Sequence, residues 1–530
     1  MALDVLIRNG QLIDGTGNPW VRADVGIVAG RVATVGVLGN ETAQRVIDAS
    51  GLFVCPGFVD MHAHSDLQLL VQPEWAVKVA QGVTLEVIGQ DGLGIAPLTD
   101  GIVAPLRQQL KAWNGDPPEI DWTWRTMADY LARFDSRVSP NVACLVGHGT
   151  IRMQVMGMDD RAPRDAELRQ MQAVVRQAIA AGAVGLSAGL TYAPAVFSDD
   201  DELVELCRPL TEWGGHYQPH HRNYGAGALE AYAASIDIGR RAKVAVHLTH
   251  AHMSTPANRG RGPELLRLVN ESRASGVDVT LDSYPYLAGN TYLHASLPSW
   301  VHTGGNSAIL ARLRDPDTRR RIEAEMDTVD WSQIIFASVS RAESRRFVGS
   351  SVADAAHAAG NPSAFDFYCD LLIDDDLGVG AINFIGHEEN VRTILQHPAH
   401  MAGSDGIVVG DRPHPRAWGT FARYLSEYVR ELDLVRLEEM IRKMTALPAQ
   451  RLGLVDRGLI RPGFAADVVC FDPLHVRDRA TYENPRQAPE GIPYVLVNGE
   501  VVVDNYRHTG KTPGRVLRRS PTPALPNTMR

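Results

Sequence analysis

The sequence has few cysteines and no pattern of paired ones. Its five cysteines are scattered, odd in number, and none falls in a C-x-x-C pair. Such spacing argues against a disulfide framework and against a cysteine-based metal site. We therefore expect reduced, buried thiols in a cytoplasmic protein. The cysteines are Cys55, Cys144, Cys207, Cys369 and Cys470.

Long apolar runs and an excess of basic residues are absent as well. No window approaches about 18 uninterrupted apolar residues, the length that crosses a bilayer. Residues 1–8 alternate like a strand and turn at Asn9-Gly10, which is not the pattern of a secretory signal. A net charge of −10 gives no reason to expect nucleic acid or an anionic membrane as a partner. We expect a small-molecule partner, and the sequence leaves a homo-oligomer open.

The two ends of the chain have the same kind of sequence pattern, that of short strands separated by turns. Short strand patterns separated by turn signals occupy residues 1–55, and similar patterns return at 466–503 with a hairpin turn at Asn498-Gly499. This predicts one small β domain assembled from both ends, comprising residues 1–55 and 456–510.

The middle of the chain alternates helix and strand patterns. Residues 165–181 have a helical apolar face that ends at Gly182, and an apolar strand pattern follows at 184–190. Repeated units of this kind predict a parallel sheet and, at this length, an α/β (β/α)8 barrel over 56–455. An open doubly wound sheet is the alternative. The alternation of helix and strand patterns stops at about 286–395, and we interpret this segment as an insertion near the barrel mouth. We interpret residues 511–530 as a C-terminal arm.

Metal-ligand residues follow several of the predicted strands. His62 and His64 are spaced i, i+2, so an extended chain points both imidazoles to one side. Active sites of barrel enzymes lie at the C-terminal ends of the strands. Reading only those ends yields four histidines and two aspartates, a set that suits one or two divalent ions, with Zn²⁺ expected. The six residues are His62, His64, Asp91, His220, His250 and Asp405.

Spacing alone leaves several of these assignments open. His220 lies beside His216 and His221, and His250 lies between His247 and His252. Only one of each group has to bind metal, since a buried histidine is more often a satisfied polar residue. Asp91 and Asp405 each precede a glycine, so either carboxylate also fits an ordinary turn.

Several longer motifs make the pattern more specific. They resemble the D-aminoacylases (N-acyl-D-amino-acid deacylases) of the amidohydrolase superfamily over nearly the full chain. The motifs are PGFVDMHAH at 56–64, GVT at 82–84 through GIAPL at 94–98, GLSAGLTYAP at 185–194, DSYPY at 282–286, GSDG at 403–406, HPR at 414–416 with WGTF at 418–421, and GLIRPG at 458–463 leading to 466–467.

The resemblance implies a metal-dependent (β/α)8 barrel with a β-sandwich built from both chain ends. It implies that His62 and His64 bind one metal, that His220 and His250 bind the other, and that Asp405 contacts metal and is the catalytic base. It places the substrate's carboxylate and amide near Tyr192, Tyr284 and Arg416.

Two positions depart from the family pattern. The family's usual Gly-Asn-Cys-Gly, whose cysteine bridges the metals, is here Gly89-Gln90-Asp91-Gly92. Asp91 can bridge as a carboxylate, but it is a harder ligand than a thiolate, so other divalent metals and the occupancy of the second site stay open. His252 stands where relatives often have lysine, and we expect it to contact substrate.

The implied activity is hydrolysis of N-acyl-D-amino acids to a carboxylate and a free D-amino acid. Metal-activated water would attack the amide while Asp405 serves as general base and then general acid. An alternative is a cyclic-amide or carbamoyl hydrolase, hydantoinase-like or dihydropyrimidinase-like, on the same metal site. A non-catalytic scaffold is the third hypothesis, and the filled ligand positions disfavour it.

Overall fold

Parallel strands form the middle of the molecule. The computed structural model describes residues 2–39 and 41–519. Two runs of hydrogen-bonded parallel strands follow each other along the chain. The first run is Phe58–Asp60, Val83–Ile88 and Asn141–Cys144, and the second is Val146–Gly147, Gly185–Gly189, His216–His220, Ala245–Leu248, Val279–Ser283 and His400–Ala402.

Backbone hydrogen bonds join the two runs at both ends. Asn141–Cys144 continues after Leu145 into Val146–Gly147, and the Leu145 amide donates to the Ile88 carbonyl at 2.9 Å. At the other end the Met61 amide donates to the Ala402 carbonyl at 3.2 Å. The first and last parallel strands are therefore neighbours.

Helices lie between and after these strands. Helix Asp165–Ala180 buries Met171, Val175 and Ala178, the face that the helical spacing predicts. The α-helices outside the segment 284–399 are Gln68–Val71, Ala76–Val79, Asp100–Asn114, Met127–Leu131, His148–Met156, Asp165–Ala180, Asp200–Cys207, Ala228–Ala242, Gly262–Ala274, Arg416–Arg423, Leu437–Met444 and Ala446–Leu452, and a π-helix spans Tyr424–Glu431.

The N-terminal strands form one further sheet by themselves and a second sheet together with C-terminal strands. Phe53–Pro56 pairs antiparallel with Val468–Phe471, which joins the ends in one sheet. The faces of the two sheets share a buried apolar cluster that includes Val25, Val54 and Val468. One sheet contains Leu3–Arg8, Asp24–Val28, Arg31–Gly36 and Ala43–Asp48, and the other Gln11–Leu12, Val21–Arg22, Phe53–Pro56, Val468–Phe471, Tyr494–Val497, Glu500–Asp504 and Arg507–His508.

The segment between Ser283 and His400 differs from the parallel region. It contains an antiparallel sheet in the order Ala288–Tyr292, Gly380–Phe384, Ile334–Ser338. Its last helix packs on Gly262–Ala274, where Asn390 Oδ1 accepts from the Gly262 amide at 2.9 Å. The helices of this segment are Asn306–Arg314, Pro316–Glu325, Val352–Ala358, Ala364–Asp374 and Glu388–Leu395.

The C-terminal residues that are described run beside a parallel strand. The Val142 amide donates to the Arg515 carbonyl, and the Leu517 amide donates back to the Val142 carbonyl at 2.8 Å. Residues 520–530 of the predicted arm lie outside the described residues. All five cysteines are free and buried, which confirms the expectation of buried, unpaired thiols. Among the described residues, no helix combines the length and apolar character needed to cross a bilayer.

Candidate metal centre

Six buried side chains from separate strand ends meet at one point. His62 and His64 follow the strand Phe58–Asp60, and His220 is the last residue of its strand. Asp91, His250 and Asp405 lie two or three residues beyond the strands that precede them. The structure thus brings together all six residues that the strand-end pattern selects: His62, His64, Asp91, His220, His250 and Asp405.

The Asp91 carboxylate is at the centre of the group. One oxygen, Oδ1, lies 3.6 Å from His62 Nε2 and 3.6 Å from His250 Nε2. The other, Oδ2, lies 3.7 Å from His64 Nε2 and 3.6 Å from His220 Nδ1. Asp91 consequently belongs to two of the three ligand groups that these residues form.

Asp405 completes the third group. Its Oδ1 lies 3.6 Å from His62 Nε2 and 3.1 Å from His64 Nε2. Ligands about 2.1 Å from a tetrahedral ion are separated by about 3.4 Å, close to these distances. Both ring nitrogens of His62 and Oδ1 of Asp91 are buried without a hydrogen-bond partner in the described residues. The donor set therefore fits one or two divalent ions.

Neighbouring hydroxyl groups orient two of the histidines. The Thr191 Oγ1 lies 2.7 Å from His220 Nε2, which leaves Nδ1 facing Asp91. The Tyr224 hydroxyl lies 3.2 Å from His250 Nδ1, which leaves Nε2 facing Asp91. A partner on the far nitrogen sets the tautomer and orientation of a metal-binding imidazole.

Three of the six ligands have an unfavourable backbone conformation. Asp91, His250 and Asp405 have φ angles of 53°, 29° and 49°, a region that side-chain-bearing residues seldom adopt. Gly189 makes the turn at Asp91 possible, because a Cβ there would lie 2.0 Å from the Asp91 carbonyl oxygen. The surrounding packing holds these three ligands in place against their conformational preference.

A buried ionic network lies directly behind the ligands. Asp60 accepts from the Ser404 amide at 2.8 Å and from the His62 amide at 3.2 Å, so one carboxylate fixes the backbone beside two ligands. Lys78 Nζ donates to Asp60 at 2.5 Å and to Ser404 Oγ at 2.6 Å, and lies 3.2 Å from Glu86. Burial raises the pKa of Glu86 to about 7, although Lys78 opposes this shift.

The protonation states of His62 and Asp405 suit metal binding. Burial lowers the pKa of His62 to about 4, which keeps the ring neutral at pH 7. Burial alone would raise the pKa of Asp405, but the Arg416 guanidinium and His62 outweigh it and hold the pKa below its usual range. Asp405 is therefore a carboxylate at neutral pH.

The predicted substrate residues form two groups beside the ligands. Arg416 Nη2 lies 3.0 Å from Asp405 Oδ1, and its guanidinium carbon lies 4.4 Å from the ring centre of Tyr284. The Tyr284 ring packs on His252 with centroids 4.3 Å apart. The Tyr192 ring lies on the other side, 4.6 Å from His220, and its hydroxyl is 3.0 Å from Thr291 Oγ1.

The Arg416 guanidinium is fully buried and only partly satisfied. Its Nε and Nη1 have no hydrogen-bond partner among the described residues. His252 lies close by but carries no charge at neutral pH, because burial, His250 and Arg416 lower its pKa to about 3. The guanidinium can therefore bind an anionic group that reaches the metal centre.

The neighbouring histidines have other partners. His247 lies within the strand, with Nδ1 2.8 Å from Thr280 Oγ1 and Nε2 2.9 Å from Asp282. His216 Nε2 is 2.8 Å from Gln218 Oε1, and His221 packs on Tyr224 with centroids 4.0 Å apart. None of the three reaches Asp91, which separates them from His220 and His250.

Reading the strand ends alone missed several side chains that build this site. Asp282 accepts from the His250 amide at 2.7 Å and lies 3.9 Å from His62 Nδ1. Trp113 packs on His64 with centroids 4.8 Å apart. One feature of the sequence could have indicated the Lys78–Asp60 pair, because Lys78 is the single lysine in the otherwise apolar helix Ala76–Val79. Trp113 had none, because nothing in its helix relates it to a histidine far away in sequence.

The chain is similar to known metal-dependent hydrolases over nearly its whole length. The sequence profile of the amidohydrolase family matches residues 45–503. D-aminoacylase of Alcaligenes xylosoxydans xylosoxydans is 37% identical over 520 residues, covering 98% of each chain. A crystal structure of N-acyl-D-glutamate deacylase from Bordetella bronchiseptica, complexed with zinc and a phosphonate inhibitor, has a TM-score of 0.84 at 36% identity, covering 98% of this chain and all of that one. A D-hydantoinase structure has a TM-score of 0.55 at 14% identity, with 98% and 99% of the chains covered, a likeness of fold alone.

Proposed function

Because the chain belongs to the amidohydrolase family, we propose that it is a metal-dependent hydrolase of N-acyl-D-amino acids. The products would be a carboxylate and a free D-amino acid. One observation carries the proposal: six ligand side chains converge beside a buried, partly unsatisfied Arg416. Whole-length similarity to deacylases of this class supports the choice of substrate.

The proposed architecture is a closed (β/α)8 barrel over 56–455, with a β-sandwich from 1–55 and 456–510. The hydrogen bonds that make the first and last parallel strands neighbours support closure. The pairing of Phe53–Pro56 with Val468–Phe471 supports a terminal domain built from both ends. We assign the antiparallel segment 288–384 to the insertion, and helix Glu388–Leu395 to the barrel because it packs on Gly262–Ala274. Residues 511–530 would form the C-terminal arm.

We assign the metal ligands to two adjoining positions. His62 and His64 would hold one ion and His220 and His250 the other, and the Asp91 carboxylate, which belongs to both groups, would be shared between them. Asp405 would contact the first ion from its place beside His64. A bound Zn²⁺ would lower the pKa of a coordinated water and polarise the substrate carbonyl.

Asp405 is the proposed acid–base residue. It is ionised at neutral pH, so it can take a proton from the attacking water and pass it to the leaving nitrogen. Its strained backbone and the Asp60–Ser404 network hold the carboxylate facing the ligands.

Arg416 is the proposed anchor for the substrate's carboxylate. Its free Nε and Nη1 can each donate a charge-assisted hydrogen bond to an anionic group. Tyr284 and His252 would support the same group, and Tyr192 would contact the substrate amide from the opposite side. The scissile bond would then lie between the two groups of substrate residues.

The competing functions are less well supported. A hydantoinase-like activity rests on relatives that share the fold at 14% identity, while the deacylases share 36–37%. A non-catalytic scaffold would have no need of a complete ligand set. The cytoplasmic location and a possible homo-oligomer stay predictions.

A substrate panel tests the proposed function. N-acetyl-D-methionine, -D-glutamate and -D-aspartate, their L enantiomers and hydantoin would be assayed with the metal-loaded protein. We expect turnover of at least one N-acetyl-D-amino acid, with the L enantiomer at least 100-fold slower. Turnover of hydantoin but none of the D substrates would refute the assignment.

The variant Asp405→Asn tests the mechanism in the same assay. It keeps the shape of the side chain but cannot accept the proton, so we expect kcat to fall by 10³-fold or more. Metal analysis is the control, and we expect at least one ion to stay bound. Near-normal turnover would remove Asp405 from the mechanism.

A further inference from the structure

A polar cavity lies at the opposite end of the parallel strands from the metal centre. It has a volume of about 490 Å³ and is lined by Gly215, Ala245 and Thr280, at the starts of three strands. The metal ligands follow the ends of these strands or their neighbours. Five residues of strand separate Gly215 from His220, which corresponds to about 16 Å. The two sites are therefore distinct.

The charge of the cavity is strongly positive. Four basic side chains line it, against one carboxylate, that of Asp278. Asp278 is already engaged, because it accepts from two nitrogens of Arg451 at 2.6 and 3.0 Å. Over residues 2–39 and 41–519, the other three basic side chains have no carboxylate within ion-pair distance. The four are Lys243, Arg273, Arg451 and Arg519.

Two of these guanidinium groups are held in place by the fold. The Arg451 side chain is only 5% exposed, and its Nε donates to Thr280 Oγ1 at 2.9 Å. Arg519 Nη1 donates to the Arg451 carbonyl at 3.2 Å. Burial and the adjacent Arg451 lower the pKa of Arg519. The fold thus places Arg519 beside Arg451, and the one carboxylate of the lining, Asp278, is paired with Arg451.

Two buried histidines adjoin the lining of the cavity. His216 and His247 lie behind the cavity, and burial followed by Arg451 holds the pKa of both rings well below its usual range. The remaining lining adds the side chains of Thr211 and Gln450. A cavity of this size falls in the range of small-molecule sites, about 300–1,000 Å³.

We propose that this cavity binds a small molecule carrying a phosphate or carboxylate group, at a site separate from the metal centre. Arg519 supplies a donor held by the fold, Arg451 adds charge although it also pairs with Asp278, and Lys243 and Arg273 supply charge at the rim. Guanidinium and ammonium groups recognise both oxyanions through charge-assisted hydrogen bonds. The bound anion would offset the crowding of like charges.

Calorimetric titration of the full-length, metal-loaded protein tests the proposal. Inorganic phosphate and citrate serve as probes at constant ionic strength, since salt screens exposed charges. The variant Lys243→Gln/Arg273→Gln removes two rim charges. The matched control, Arg240→Gln/Arg267→Gln, removes two exposed charges outside the cavity, one from the helix that ends just before Lys243 and one from the helix that contains Arg273.

We expect at least one probe to bind the wild-type protein, tenfold or more weaker binding in the rim variant, and a change within twofold in the control. Hydrolytic activity should be unchanged in both variants, because none of the four substituted residues contacts the metal centre. These residues are Lys243, Arg273, Arg240 and Arg267. Equal affinity in the rim variant and the wild type would overturn the site. Equal losses of affinity in the rim variant and the control would also overturn it, because they would mean that net charge alone governs binding. The proposal would likewise fail if neither phosphate nor citrate bound the wild-type protein.

Discussion

At the scale of single residues, Asp91 has the most partners in the metal centre. Its two oxygens face nitrogens of four histidines at 3.6–3.7 Å. Removing it leaves those nitrogens with no shared ligand between the two proposed ions. We expect Asp91→Ala to lose at least half of the bound metal, measured by elemental analysis after gel filtration.

Asp91→Cys is the informative companion to this variant. A thiolate is a softer ligand that still bridges, so we expect full metal content and a stronger preference for Zn²⁺ over Mn²⁺. Full metal content in Asp91→Ala would show that Asp91 does not bridge.

Arg416 and His252 have different charges beside the same Tyr284 ring. The guanidinium is always charged, whereas His252 is neutral at pH 7 because burial lowers its pKa to about 3. Carboxylate binding should depend on Arg416. A charge-assisted bond contributes about 1.5–3 kcal/mol, so we expect Arg416→Gln to lower kcat/KM by about 10–150-fold and His252→Gln by less than tenfold.

A substrate lacking the charge separates binding from general damage. Wild-type protein should prefer an N-acetyl-D-amino acid over its carboxamide, and Arg416→Gln should lose that preference. If Arg416→Gln slows both substrates equally, Arg416 does not bind the carboxylate.

The residue-scale reasoning from sequence succeeded where local geometry governs position. His62 and His64 point together because of the two-residue repeat of an extended chain. Reading the strand ends selected His250, but spacing alone left His247 open, since the choice depends on where the strand ends and on a φ of 29° at His250. The contact of Asp60 with Ser404 joins residues 344 positions apart, and spacing carries no information about such a pair.

At the scale of elements, helix Leu437–Met444 carries a buried lysine. Burial lowers the pKa of Lys443 from 10.5 to about 7, and its Nζ donates to the His397 carbonyl. The unfolded chain keeps the higher pKa, so between pH 7 and 10.5 the unfolded state binds more protons. The free energy of unfolding therefore rises with pH across this window, and below pH 7 the contribution is constant.

Lys443→Met should remove this pH dependence. We expect the difference in unfolding free energy, wild type minus variant, to increase by up to about 1.4 kcal/mol per pH unit from pH 7 to 9. Urea denaturation at pH 7, 8 and 9 measures it. Lys511→Met, at an exposed ion pair, should follow the wild type at each pH. A difference that does not vary with pH would place the Lys443 pKa at its ordinary value.

Periodicity predicted the parallel elements more successfully than the insertion. The strand Gly185–Gly189 and helix Asp165–Ala180 follow their apolar patterns to within one residue. The antiparallel sheet over 288–384 escaped prediction because strand Ala288–Tyr292 is mostly half-buried and contains two polar residues, Asn290 and Thr291. Its pairing partner begins 88 residues further on, at Gly380.

At the scale of the whole molecule, the metal centre ties distant segments together. The ligands come from positions 62 to 405 of the chain, and the unfolded chain cannot present them at one point. An ion that binds only the folded protein stabilises it by about 2.7 kcal/mol at a free concentration 100 times its Kd. Without the ion, buried carboxylates and imidazoles face each other unscreened.

Chelation should therefore lower the thermal stability of the molecule as well as its activity. We expect the Tm of the chelator-treated protein to fall by several degrees and to recover when Zn²⁺ is added back. Scanning calorimetry measures both steps. Asp91→Ala supplies the internal control, because a protein that binds less metal has less stabilisation to lose, and its Tm should shift by a smaller amount. An equal shift in the variant and the wild type would mean that chelation acts elsewhere, and an unchanged wild-type Tm would mean that the six ligands reach their positions through packing alone.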